Sequence, residues 1–174
     1  MGSRFVAVDA SVLINFIHVG RLDLLAELPG YECLVPDHAA EEVTRPSQRA
    51  ALRKFLESGR LHPVCITDPG EMREFADLRT RLGDGEAACL ALAQSRGWLV
   101  ACDEKRAFLR EADQRIGRGR VLNTPSLLVL AILAGCITVE EADRFKAILE
   151  TRRFRIRARS FRDLLPPASE SPER

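Results

Sequence analysis

Four acidic side chains stand at the ends of apolar runs or at helix starts in this 174-residue chain, and together they have the chemistry to hold a divalent cation. Asp9 directly follows the apolar run 5–8 and precedes Ala10, Ser11 and Val12. Glu42 follows a second β-like run, Glu86 lies in the segment Gly83-Asp84-Gly85-Glu86, and Asp103 follows the run 98–102. Mg2+ and Mn2+ take oxygen ligands, keep several waters, and are commonly held by one or two carboxylates plus a substrate phosphate. A cation so held neutralises phosphodiester oxygens and lowers the pKa of a bound water, so that hydroxide is available near neutral pH. Ser11, two residues past Asp9, can steady such a water with its hydroxyl. Carboxylates within roughly 6 Å raise one another's pKa, so a cation at such a cluster is expected to raise the melting temperature.

Each acid also has a plainer explanation. Asp9 and Asp103 can cap the helices that follow them, Asp84 or Glu86 can serve a helix start, and Glu42 can be solvated. Yet Ser, Thr or Asn would cap equally well, so capping alone gives no reason for four acids to share one edge. His38 lies near the acids and is expected to be a helix-surface histidine.

The elements that must position these acids alternate. Strands are expected at 5–8, 31–35, 61–66, 98–102 and 121–122. Helices are expected at about 11–19, capped by Ser11, then at 22–28, from Pro36-Asp37 through Glu41 and Glu42, and at 48–57, capped by Ser47 after Pro46 ends the preceding helix. Asp68-Pro69 starts another to about Arg81, and the alanine-rich stretch 86–94 can pack closely on a sheet. Further helices follow at 104–113 and 124–134, and the Thr138/Glu141 capping box opens one to about Thr151. Phe154, Ile156 and Ala158 alternate with Arg155, Arg157 and Arg159, the period of a half-buried edge strand. Strands separated by helices imply parallel pairing and a three-layer α/β/α sandwich, with the ligand crevice beyond the strands' carboxyl ends where the strand order reverses. If strands one and four are neighbours, Asp9 and Asp103 converge there.

Composition narrows the function classes. No apolar run approaches the roughly 20 residues of a membrane span, and the start lacks a secretory layout, so a cytoplasmic protein is expected. Five cysteines, odd in number and set in apolar stretches, read as reduced core thiols, and no C-x2-C pair suggests zinc. Net charge is only +1, so no global field gathers nucleic acid. The Arg-rich stretch can track an RNA backbone through Arg155, Arg157 and Arg159, but a charged edge that blocks strand pairing is the favoured reading. One Trp and one Tyr offer no aromatic surface for base stacking. A dehalogenase-type phosphatase would need Asp where Ser11 stands, a phosphoryl receiver would want Lys after strand five, and no glycine-rich nucleotide loop follows strand one.

The order Val-Asp-Ala-Ser-Val-Leu-Ile at 8–14, Glu-Val at 42–43, Leu-Gly-Asp-Gly-Glu-Ala-Ala at 82–88 and Leu-Val-Ala-Cys-Asp-Glu-Lys at 99–105 resembles the PIN-domain nucleases. These metal-dependent ribonucleases include the VapC toxins of toxin-antitoxin pairs. The likeness spans roughly residues 4–165, with 166–174 expected as a disordered tail. The resemblance implies a five-stranded parallel sheet in the order 3-2-1-4-5 and carboxylate ligands at Asp9, Glu42, Glu86 and Asp103 for Mg2+ or Mn2+. Glu41 competes with Glu42, and Asp84 with Glu86. Glu42 is chosen because Val43 follows it, and Glu86 because Ala91 and Ala93 then fall at the family's small positions. The place two before Asp103, usually Thr in the family, is Ala101, which gives Glu104 a supporting role beside Asp103. The partners implied are RNA, an antitoxin that would block the acidic crevice, and a second copy of the chain, with the helices 22–28 and 125–134 as docking surfaces. The rival function is a non-catalytic PIN-like scaffold that binds protein or RNA.

Overall fold

A computed structural model describes residues 2–103 and 106–167. Glu104 lies outside the described residues, as do residues 168–174 of the expected tail. The strands are β1 Arg4–Val8, β2 Tyr31–Pro36, β3 His62–Val64, β4 Leu99–Ala101 and β5 Val121–Leu122. The helices are α1 Ala10–His18, α2 Asp23–Ala26, α3 Asp37–Glu41, α4 Pro46–Glu57, α5 Pro69–Leu78, α6 Asp84–Arg96, α7 Arg106–Arg115, α8 Thr124–Leu133 and α9 Val139–Thr151.

All strand pairs are parallel, in the order β3-β2-β1-β4-β5. The order reverses between β1 and β4, where Val8 pairs with Ala101, and the ladder continues one residue further as Asp9 N donates to Ala101 O at 2.9 Å. Successive residues point to opposite faces of a strand. Val6 and Val8 thus join one apolar cluster with Leu13 and Phe16 of α1, Leu127 and Leu128 of α8, and Phe145 and Leu149 of α9. Ala7 and Val100 join a second with Leu78 of α5, Leu90 and Ala91 of α6, and Phe108 of α7. The sheet is the middle of three layers. Ala87, Ala88, Ala91 and Ala93 are fully buried, so α6 lies close against the strands.

Several boundaries differ from expectation for local reasons. Asp9, not Ser11, is the N-cap of α1, its carboxylate accepting from Ser11 N at 3.1 Å. Pro46 does not end α3, which stops at Glu41, but opens α4 as its first residue, where its missing N–H leaves nothing unsatisfied. Glu42 is the C-cap of α3 rather than a residue inside it. Asn123 caps α8, and the capping boxes at Asp68/Glu71 and Thr138/Glu141 are both formed.

The half-buried strand expected after α9 is absent. Ile156 is buried and Arg155, Arg157 and Arg159 are exposed, so the alternation of burial holds, but the segment is irregular. Alternation needs only an extended chain lying on the core; a strand also needs a ladder partner. Arg153, with φ 66°, turns the chain as it leaves α9 and is the one non-glycine residue with positive φ among the described residues. Asp143 then pins the segment by accepting from Ser160 Oγ at 2.7 Å and Phe161 N at 2.8 Å. Two of the five cysteines also depart from expectation, since Cys65 and Cys136 are exposed while Cys33, Cys89 and Cys102 are buried. Among the described residues no helix is long and apolar enough to cross a membrane.

Candidate active site

Asp9 leaves β1 at the point where the strand order reverses, and its side chain is 2% exposed. Oδ2 accepts from Ser11 N at 3.1 Å, from Ser11 Oγ at 2.6 Å and from the Cys102 thiol at 3.7 Å. Oδ1 is buried and has no hydrogen-bond partner among the described residues. Burying a carboxylate oxygen without a partner is unfavourable, so this atom marks a place built for something else.

A cavity of about 370 Å3 opens there, bordered by Asp9, Ser11, Ile14, Glu42, Gly83 and Glu86. Backbone amides at the start of α6 hold two of its acids. Gly85 N donates to Glu42 Oε1 at 2.7 Å, and Gly83 N donates to Glu86 Oε2 at 3.1 Å. A Cβ on Gly85 would lie 3.0 Å from Asp9 Oδ1 and from Glu42 Cδ and Oε2, so only glycine lets the helix approach these carboxylates without displacing them. The acids share one electrostatic neighbourhood: burial, then the charges of Asp9, Cys102, Glu42 and Glu86, push the Cys89 thiol well up.

The competing acids separate clearly. Glu41 borders a different hollow with Arg49, Leu52 and Arg53, whereas Glu42 faces Asp9. Asp84 pairs with Arg79 at 2.8 Å, turning toward α5, whereas Glu86 borders the cavity. His38 stacks on Phe75 at 4.4 Å and bonds to Asp37 at 2.7 Å, as a helix-surface histidine would. Plain roles are realised too, for Asp9 caps α1 and Glu86, in the first turn of α6, accepts from the amide of its N-cap Gly83.

Asp103 stands apart from the other three. Its amide donates to Ser11 Oγ at 3.1 Å, so one hydroxyl bridges it to Asp9. Its carboxylate borders a second cavity, of about 320 Å3, with Ser11, Ile14, Asn15, His18, Arg152 and Arg153. There Oδ1 accepts from Thr124 N at 2.7 Å, while Oδ2 accepts from Asn15 Nδ2 at 2.9 Å and from the Thr124 hydroxyl. Burial raises the Asp103 pKa, and these hydrogen bonds oppose the rise. Asp103 thus takes its hydroxyl partner from Thr124 of α8. Of the four acids expected at one edge of the sheet, three border one cavity and the fourth borders its neighbour. Among the described residues, no three acids, histidines or cysteines converge into a ready-made cation cage.

The donor set nevertheless suits a hard divalent cation. It consists of carboxylate oxygens, one of them buried and unpartnered, and such a cation needs only one or two of them when waters fill the rest. Asn15, Thr124 and His18 were not singled out from sequence. A signal existed: Ser11, Asn15 and His18 recur at i, i+4 and i+7, a polar stripe along an otherwise apolar helix. Arg155, Arg157 and Arg159 are exposed on the irregular segment, and it is Arg152 and Arg153 that border the site.

A family model described as DUF3368, a PIN domain, matches residues 5–170. Among solved structures, the chain is similar to PAE2754 from Pyrobaculum aerophilum, at 17% identity and a TM-score of 0.49, covering 75% of this chain and 98% of that one. It is also similar to VapBC2 from Rickettsia felis, solved bound to a DNA fragment from their promoter, at 12% identity and a TM-score of 0.47, covering 68% of this chain and 98% of that one. No curated protein matches. The family match runs across nearly all of the sheet and its helices, and the chain belongs to the PIN-domain family.

Proposed function

We propose that this PIN domain is a divalent-metal-dependent ribonuclease that hydrolyses phosphodiester bonds, with Asp9, Glu42, Glu86 and Asp103 as its acidic residues. One observation carries the reading: Asp9 Oδ1 is buried without a partner at a cavity flanked by Glu42 and Glu86, beneath a helix start that only glycine allows so close. Mg2+ or Mn2+ bound there would neutralise phosphate oxygens and make hydroxide available. The chain's own residues set the geometry. Ser11 fixes Asp9 and the Asp103 backbone at once, the amides of Gly83 and Gly85 hold Glu86 and Glu42, and Asn15 with Thr124 holds Asp103. Groups held this way need little rearrangement when charge develops on a phosphate, which is how preorganised sites lower barriers.

Cleavage of structured and unstructured RNA, with and without Mn2+, tests the reading. Asp9→Asn is expected to reduce Mn2+-dependent cleavage by at least about a hundredfold, the scale on which losing one electrostatic stabiliser slows a reaction. Equal activity in the variant assigns the cleavage to another site or another protein. A non-catalytic scaffold is the second reading, favoured by the lack of a three-acid cage among the described residues. It predicts RNA or protein binding with no cleavage under any cation. The setting proposed is the cytoplasm, whose reducing conditions suit five free thiols. If the chain is the toxin of a toxin-antitoxin pair, expressing it alone arrests growth, and Asp9→Asn abolishes the arrest.

A further inference from the structure

The second cavity adjoins the acidic one, with Ser11 and Ile14 forming walls of both. Its far side is basic. Arg152 and Arg153 border it at the end of α9, and His18 borders it at the end of α1. Some arginines are paired with carboxylates, as Arg79 is with Asp84 and Arg115 with Glu74. Neither Arg152 nor Arg153 forms an ion pair or side-chain hydrogen bond among the described residues, so both guanidinium forks are available to an incoming anion. Burial first, then the charges of Arg152 and Arg45, lowers the His18 pKa. Gln48 Nε2 lies 3.0 Å from His18 Nε2. The other ring nitrogen, Nδ1, is buried and has no hydrogen-bond partner among the described residues. Both oxygens of Asp103, which borders this cavity and not the acidic one, accept from Thr124 and Asn15, which leaves the arginine end as the anion's end.

We propose that this cavity, bordered by His18, Arg152 and Arg153, is a subsite for the backbone phosphate next to the scissile one, so that a single strand of RNA runs from the acidic crevice over Ser11 and Ile14 toward the end of α9. The proposal rests on the nuclease reading and assigns the direction in which that substrate leaves the site. Arg153 adds a reason of its own, since the left-handed backbone it adopts is one that glycine takes most easily, yet a long cationic side chain stands there.

The test measures binding rather than cleavage. A short fluorescein-labelled single-stranded RNA is titrated by anisotropy in EDTA across a range of salt. The proteins compared are wild type, Arg152→Ala, Arg153→Gly and Arg118→Ala, the last removing one charge that pairs with Asp113 and does not border the cavity. Arg153→Gly suits the positive φ, so its melting temperature should not fall below wild type. Arg152→Ala and Arg153→Gly should each weaken binding several-fold and reduce the slope of log affinity against log salt by about 0.7, the value for one phosphate contact on a single strand. Arg118→Ala should change neither. Unchanged slopes in both site variants overturn the subsite, as does wild type failing to bind the RNA. Polyglutamate bound as tightly as RNA, with the same losses in the two variants, also overturns it by making the ligand an acidic polypeptide. Failure of the nuclease reading looks different: normal RNA binding with the expected slopes, but no cleavage by wild type in Mn2+.

Discussion

Gly85 is the residue on which the acidic cavity turns, because a methyl group there would press on Asp9 and Glu42 together. Replacing it with alanine separates stability from activity. A glycine inside a helix is about 0.5–1 kcal/mol less favourable than alanine, so Gly85→Ala should leave the melting temperature within a few degrees of wild type. The displaced carboxylates should slow cleavage by about tenfold or more, since small misplacements of catalytic groups weigh heavily on rate. A fully active Gly85→Ala enzyme would mean that the Asp9–Glu42 approach is incidental. At this scale the sequence was readable where a residue's type carries its role, as with Asp9 next to Ser11. It was unreadable where the role depends on a distant partner. Nothing local in Thr124-Pro125 beyond a helix start announces that the threonine will bond to Asp103, 21 residues earlier.

Helices α5 and α6 show how an element is held at the working edge. Glu71, in the first turn of α5 and 2% exposed, accepts from Arg96 at the end of α6 at 2.6 and 3.0 Å, which locks the two helices together. The Arg96 hydrogen bonds hold the Glu71 carboxyl below its usual range, against the opposing effect of burial. A carboxyl depressed in the folded state stabilises the fold above its unfolded pKa of about 4.3 and loses that contribution as pH falls through the folded value. Glu71→Gln should therefore lower stability at neutral pH by about 1–3 kcal/mol. In melts taken across pH, the gap to wild type should close below about pH 4; a gap that persists in acid would assign the loss to packing instead. The order of elements was legible because hydrophobic period, proline and cap residues each act locally. The missing strand after α9 was not, because alternation records which side of a chain is buried and says nothing about whether a neighbouring strand offers its amides.

For the whole molecule, the reversal of strand order between β1 and β4 gathers acids from residues 9, 42, 86 and 103 at one edge without any long loop. A cation held at the acidic cavity by Asp9, Glu42 and Glu86 would stabilise the fold. At about a hundredfold excess over its dissociation constant, Mn2+ would contribute about 2.7 kcal/mol, or a rise of about 5–10 °C for a chain of this size. The shift should vanish in Asp9→Asn, and its absence in wild type would count against cation binding at the cavity. Parallel pairing could be inferred from alternating strands and helices, and the strand order from the family resemblance, whereas the division of the acids between two cavities depends on side-chain directions that no spacing encodes. The division of the thiols gives the molecule a built-in reporter. Cys65 and Cys136 are open to a maleimide, and burial with the Asp37 charge raises the Cys65 pKa, which slows its labelling. Cys33, its thiol pushed up to about 12, and the buried Cys89 and Cys102 react only when the fold opens. Mass spectrometry should count two labels on the native chain and five in denaturant. Because Cys89 and Cys102 flank Asp9, the rate at which the last labels arrive becomes a clock for breathing of the catalytic edge, and Mn2+ should slow it.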